Sequence, residues 1–390
     1  MPGSLIHLDS LALVSMSAYL LFWLITVAAS PAKDFTGSNR TQALLILAGT
    51  LLGYASGSVW LFLLGWTVAI VPAILAPTQG SSAARAALIA STAALALGAG
   101  LTLTPGHSAR NAAYFAFLAA TLIRKGIFPL HFWLPRAFET QNLSLLSLNI
   151  NGHLGAYLLV RYALTMSPEA AADTLPLLNA ITLFTSVYAA LLALTERSPR
   201  RILGLLCVSQ AAFILAGLEN SNVEGVTGGL VHWWVVAFAT TGMITVYRAL
   251  EVRTTEVAQP AGFLGLAIHA PRLAAFFAVA GLALIGLPGT LGFAAEDLLF
   301  HGTLESHPLL GIALPLATAL NAITTLRLFS TLFLGRRSTL VTPIPDARPA
   351  QRWALAACAV LLVAGGLAPG LLVSASTPAA VRIAQLITAR

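Results

Sequence analysis

The chain has 390 residues, 57% of them hydrophobic and only 9% charged, with a formal net charge of +7. Soluble domains carry roughly 25% charged residues, so this composition excludes a water-soluble fold. The basic excess lies in short loops between apolar runs, with no basic-aromatic patch, which excludes a nucleic-acid partner and points to orientation in a lipid bilayer.

In chain order, apolar runs of about 20 residues predict about twelve membrane-spanning helices in an all-α polytopic bundle. They fall near 9–30, 41–56, 57–77, 84–104, 112–134, 143–166, 175–194, 201–218, 227–250, 272–300, 308–334 and 352–374. The first run lacks a basic leader and reads as a span of the mature chain. The second and third are divided only by the Gly53, Ser56 and Gly57 region. A closing segment, 378–390, sets Arg382 and Arg390 beside Val381, Ile383, Leu386 and Ile387, the pattern of an amphipathic helix lying along an interface.

Loops after the odd-numbered spans hold Lys33, Arg40, Arg85, Arg136, Arg197, Arg200, Arg201, Arg253, Arg336, Arg337 and Arg348. Loops after the even-numbered spans hold chiefly Arg110, with the acids Glu169, Asp173, Glu219 and Glu224. Positive charge stays inside, so both termini are expected on the periplasmic face of a bacterial inner membrane. Cys207 and Cys358 lie in apolar runs, and no CxxC, HExxH or strand-borne GxGxxG occurs. No cofactor, metal site or catalytic site is therefore expected in this chain.

Two spans are interrupted. The fifth holds Pro129 and Pro135, and the tenth holds the stretch GLPGTLGF at 286–293. Such residues free backbone groups that neighbours or water must satisfy. The breaks fall in the fourth of five spans if spans two to six and seven to eleven are paired, the mark of two inverted five-helix repeats around a polar centre. The chain then divides into an N-terminal span and loop (1–40), a first repeat (41–166), a second repeat (175–334), and a C-terminal span with an amphipathic tail (335–390).

Ionisable groups inside apolar runs are the candidate site residues, because burying them in hydrocarbon is costly. Arg124 and Lys125 fall near mid-depth of the fifth span. They either line an ion path beside the break or snorkel to an interface. Of the two, only lysine readily gives up its proton. His131 lies between the prolines and either carries a proton or caps freed backbone groups. His153 follows Asn149 and Asn151 in a polar stripe, which serves a relay or interhelical hydrogen bonds. His232, beside Trp233 and Trp234, fits a relay or an interfacial aromatic belt. Glu296 and Asp297 follow the tenth-span break and either face a water cavity or have already reached the far interface.

Four blocks carry a resemblance: RKGIFPLHFWLPRAFE (124–139), GAYLLVRYA (155–163), SPRRILGLLCVSQAAFILAGL (198–218), and GLPGTLGFAAEDLL (286–299) with LRLFSTLFLGRR (326–337). Together they resemble the antiporter-like membrane subunits of respiratory complex I, Mrp-type cation antiporters, membrane-bound hydrogenases and related inorganic-carbon uptake complexes. The resemblance spans residues 41 to 340 and implies two inverted five-helix repeats, each with a broken helix, and commonly fourteen spans rather than twelve. The chain also departs from the family's pattern. Thr67 stands where the family has a glutamate, Arg124 where it has a lysine, and His153 where it has a lysine or a neutral residue. His232 matches the first histidine of a later pair. Val236 and Thr240 replace the second histidine and a lysine, and Ala295, Glu296 and Asp297 replace a Ser-Lys-Glu triplet.

The resemblance implies a membrane subunit of a multi-subunit complex that couples proton or cation movement to a reaction in partner chains. Those partners are other membrane subunits and a soluble or peripheral one, either a redox module or a zinc-bearing subunit of a carbon-uptake complex. Two alternatives stand beside it: a non-conducting scaffold that anchors a partner, and a stand-alone secondary transporter.

Overall fold

The computed structural model describes residues 5–75, 82–335 and 343–388. Arg336, Arg337 and Arg390, named above, lie outside them. The described chain is helical, and its one β contact is an isolated bridge between Ile6 and Ser56. The helices follow in order as α1 (Ser10–Ala29), α2 (Ser38–Ala55), α3 (Val59–Leu75), α4 (Ser82–Leu101), α5 (His107–Lys125), α6 (Trp133–Thr140) and α7 (Leu143–Ile150). Short α8 (Leu154–Leu158) and α9 (Leu164–Met166) extend α7 through a π-helical turn at Leu159–Ala163. Then come α10 (Pro168–Thr195), α11 (Pro199–Leu218), α12 (Val223–Glu251), α13 (Pro271–Leu284), α14 (Leu291–Ser306), α15 (Pro308–Gly311), α16 (Ala313–Phe333), α17 (Pro349–Leu367) and α18 (Gly370–Thr388).

Among the described residues, nine helical segments are long and apolar enough to cross a membrane, and α3 and α13 are shorter apolar helices. This does not reproduce the expected twelve one for one. The expected spans at α2, α3, α5 and the α13–α14 pair are not among the nine, because α3 has 17 residues, polar residues dilute α2 and α5, and α13 and α14 are halves of a broken helix, whereas α18 is counted where no span was expected.

The two breaks are built alike. After α5, Gly126 takes φ +67° and Ile127 N–H bonds back to the carbonyl of Leu122. After α13, Gly286 also takes φ +67° and Leu287 N–H bonds back to Leu282. Both are six-residue closures of a helix C-terminus around a left-handed glycine, a conformation that side chains with a Cβ resist. The chain then turns back with matching bonds, Leu130 N–H to Ile127 and Thr290 N–H to Leu287, before α6 and α14 resume. The paired pattern is the structural signature of the two inverted repeats.

Three segments form the centre. The whole apolar window of α12 is buried inside the protein, as are 94% of the α11 window and 89% of Leu143–Met166, against 28% for α17 and for α18. Glycines make the close approach possible. A Cβ on Gly217 would lie 2.6 Å from Gly229 Cα, and one on Gly228 would lie 2.7 Å from Leu299 N. Small residues at such contacts allow dispersion to hold helices together where lipid removes the usual hydrophobic drive.

α12 has 29 residues and is about 43 Å long, so its ends mark the two ends of the molecule. At its C-terminal end Arg248 pairs with buried Asp34 at 2.8 Å and with Glu251 at 2.6 Å. Glu251 also pairs with Arg200, which donates to the carbonyls of Phe138, Glu139 and Gln141. At the opposite end Asp9 pairs with Arg161 at 2.6 Å and with Arg382 of α18 at 3.2 Å. The described part of the expected interface segment, 378–388, is thus the second half of a longer helix that is itself long and apolar enough to cross a membrane, and Arg382 ties that half to Asp9.

Candidate functional site: a polar axis through the bundle

Arg124 and Lys125 occupy the last turn of α5, where the carbonyl end of the helix dipole favours cations. Arg124 is 7% exposed and Lys125 is 5% exposed, so both cations are enclosed by protein rather than extended from its surface. Arg124 lies over the face of Trp66, 5.3 Å from the ring centroid, and donates to the carbonyl of Asn149 at 3.3 Å. With Thr67 in place of an acid, and its hydroxyl turned to Leu63 O, the ring face supplies the negative potential.

Lys125 Nζ lies 2.6 Å from His153 Nδ1. His153 is itself at an interruption, between α7 and α8, with φ +42°. A left-handed histidine is strained, and such strain persists only where the surroundings enforce it. The Asn151-Gly152 pair before it is a turn signal inside an apolar run; the polar stripe was legible in the sequence, the break it produces was not. A protonated lysine donates to this nitrogen, and a neutral lysine accepts from it, so the pair holds one proton in either of two places.

The pair borders a cavity of about 20 Å³ lined by Arg124, Lys125, Asn151, His153, Cys207 and Val236, room for about one water. Asn151 Nδ2 donates to Thr240 Oγ1 at 2.8 Å, so the residue replacing the family lysine keeps a neutral link to the first repeat. His153 stands edge-on to Trp233, ring centroids 5.3 Å apart. His232 is fully buried, ten residues into α12, with Nε2 at 2.7 Å from Gln210 Oε1. This corrects the interfacial-belt alternative: His232 faces the interior.

Beyond it, Asn321 donates to Ser209 Oγ, and Ser209 donates to Ser186 O, both at 2.8 Å. Glu296 accepts from Thr318 at 3.0 Å and packs into the space beside Gly286, where an added Cβ would meet its Oε2 at 2.5 Å. Among the described residues, Arg124 Nη1, His153 Nε2, Gln210 Nε2, His232 Nδ1 and Glu296 Oε1 are buried with no hydrogen-bond partner. Buried polar atoms are rarely left so, and these five belong to the residues of the candidate line.

Two candidates stand apart from that line. His131 is buried among Phe128, Phe132 and Tyr188, with no partner on Nδ1; its side chain neither caps the break nor reaches Lys125. Asp297 is exposed and lies 3.5 Å from His301. Its neighbour Glu296 points inward because adjacent helical residues diverge by about 100°.

Two recesses lie at opposite ends of α12. One, about 220 Å³, is lined by Ser38, Gln42, Pro72, Asn142 and Asn149 among others. It opens beside the Asp34–Arg248 end and ends at Asn149, which holds Arg124. The other, about 290 Å³, is lined by Pro176, Glu219, Ser221 and His307 with Ile387 and Thr388, next to the N-terminus of α12. Each uses the start of a repeat's first helix and the end of its second. Sequence reading placed Glu219 only among loop acids, although it is 3% exposed.

The apolar helices, the two like-built helix breaks and the buried polar groups between them define a polytopic membrane bundle. The family model described as NADH:quinone oxidoreductase/Mrp antiporter, TM, matches residues 86–321, more than half of the sequence. The chain belongs to that family. It is 27% identical over 371 residues to NADH-quinone oxidoreductase subunit 13 of Thermus thermophilus, covering 88% of this chain and 78% of the relative. It is 31% identical over 196 residues to NAD(P)H-quinone oxidoreductase chain 4 1 of Synechococcus elongatus, covering 50% of this chain and 37% of the relative. Its fold is similar to a chain of respiratory complex I from Thermus thermophilus with bound NADH, with TM-score 0.88, 24% identity, and 98% and 86% of the two chains covered. It is also similar to a chain of the Mrp complex from Dietzia sp. DQ12-45-1b, with TM-score 0.86, 20% identity, and 98% and 85% covered.

Proposed function

We propose that the chain is an integral subunit of a multi-subunit complex in a bacterial inner membrane, moving protons or another cation along its axis while partner subunits carry the coupled reaction. The observation that carries this reading is the Lys125–His153 hydrogen bond, 2.6 Å long, buried where two helices break beside a water-sized cavity. In this reading Arg124 stays charged and sets the field. Lys125 and His153 pass the proton, His232 with Gln210 continues the path, and Glu296 receives it in the second repeat. His131 and Asp297 are assigned no step. Family membership and the names of the relatives support assembly with other membrane subunits; a soluble or peripheral partner is part of the proposal. The cluster of Arg200, Arg201, Arg248 and Arg253 at one end of α12 supports that end as cytoplasmic, which puts Asp9 and α18 outside.

The test is coupled transport by the native complex in vesicles. Lys125→Ala and His153→Ala are each expected to lower it at least tenfold with the complex still assembled. Full transport by both variants would falsify the relay and leave the anchoring-scaffold alternative. The neutral Asn151–Thr240 link, where the family carries a lysine, is the observation that favours that alternative.

A further inference from the structure

The second-repeat vestibule contains a carboxyl that the axis does not use. Glu219 follows the last residue of α11 and is 3% exposed. Thr182 Oγ1 donates to its Oε1 at 3.2 Å and the Asn179 side chain stands beside the carboxyl, while Oε2 is buried with no hydrogen-bond partner among the described residues. A buried carboxyl half-satisfied in this way is costly unless the free oxygen has a ligand or a proton of its own. Glu219 lines the vestibule of about 290 Å³ with Ala172, Leu175 and Pro176 of α10, Ser221 and His307, and part of the wall is Ile387 and Thr388 in the last turn of α18. α18 is held on this end of the bundle by Arg382, which pairs with Asp9 and bonds to Ser10. The other titratable groups facing Glu219 are His307 across the vestibule and Tyr114 of α5, whose hydroxyl is hydrogen-bonded to Thr174.

We propose that Glu219 is the proton-exchanging carboxyl of this vestibule and that the C-terminal turn of α18 covers it. Thr182 keeps Oε1 occupied, so the exchanging proton sits on Oε2 and leaves to water in the vestibule, with the carboxylate remaining behind. Displacing the last turn of α18 opens that route. The inference deepens the ion-path reading and rests on it for its purpose, though not for its chemistry.

The experiment uses the native complex and dicyclohexylcarbodiimide, which adds to protonated carboxyls in apolar surroundings, with the adduct located by peptide mass spectrometry. Glu219 is expected to label, and to label at least fivefold faster when the chain is ended after Gln385. If that truncated chain does not assemble, Ile387→Ser takes its place. No adduct on Glu219 in either form overturns the exchanging carboxyl, and equal rates overturn the cover. In transport, Glu219→Gln is expected to lose at least fivefold and Glu219→Asp to recover part of it. Full transport by Glu219→Gln, with Lys125→Ala inactive, sinks this inference alone. Full transport by Lys125→Ala with Glu219 still labelled sinks the central relay alone.

Discussion

Arg124 illustrates how a buried charge is held without a carboxylate. A helix C-terminus, one carbonyl and one aromatic face surround it. The desolvated cation–π contact is worth about 2 kcal/mol, so Trp66→Leu is expected to lower stability by about that amount. Thermal unfolding of the purified complex in detergent checks it, and an unchanged midpoint would mean the ring is only filler. The cations themselves were legible, because Arg-Lys inside an apolar run breaks the hydropathy pattern. Trp66 as the partner was not legible, since it lies 58 positions earlier and only packing of α3 on the first-repeat core brings it near. His232 shows the same limit from the other side. Its tryptophan neighbours suggested a surface belt, and only the enclosure of α12 decides against it.

At the scale of elements, the helix breaks were readable because glycine and proline announce them. The π-turn at Leu159–Ala163 and the kink at Asn151–His153 carry weaker signals, Asn-Gly being common in plain loops. Contacts between helices were less readable still, because glycine spacing does not say which neighbour comes close. Gly217→Ala would drive a Cβ to 2.5 Å from Leu299 Cδ2 and 2.6 Å from backbone Gly229. It is expected to cost about 1–3 kcal/mol as overpacking. Gly100→Ala in α4 meets nothing within 4 Å and should be neutral or stabilising by up to about 1 kcal/mol. Paired thermal melts of the two variants test the contrast, and equal midpoints would contradict the close approach of α11, α12 and α14.

For the molecule as a whole, the all-helical two-repeat plan followed from hydropathy and the paired breaks, whereas the fastening of one repeat to the other did not. Asp34, Arg248, Glu251 and Arg200 are dispersed in sequence, and of these only Arg200 stood out, as a loop charge. Their network joins the loop before α2 to α11 and α12, and touches the end of α6. Arg248→Met leaves Asp34, 2% exposed, without its cation and is expected to destabilise by roughly 3–5 kcal/mol. Urea or heat denaturation of the isolated complex would reveal it, and a loss under 1 kcal/mol would show that Asp34 finds another partner. The opposed vestibules have an electrical corollary. In the proposed orientation, recesses that admit water from each face would carry bulk potential inward, and the transmembrane voltage would fall chiefly across the stretch between Asn149 and Glu219. A unit charge crossing that stretch would gain or lose about 2.3 kcal/mol per 100 mV, so on the proposed path a handful of central side chains would be where the membrane's stored energy is felt.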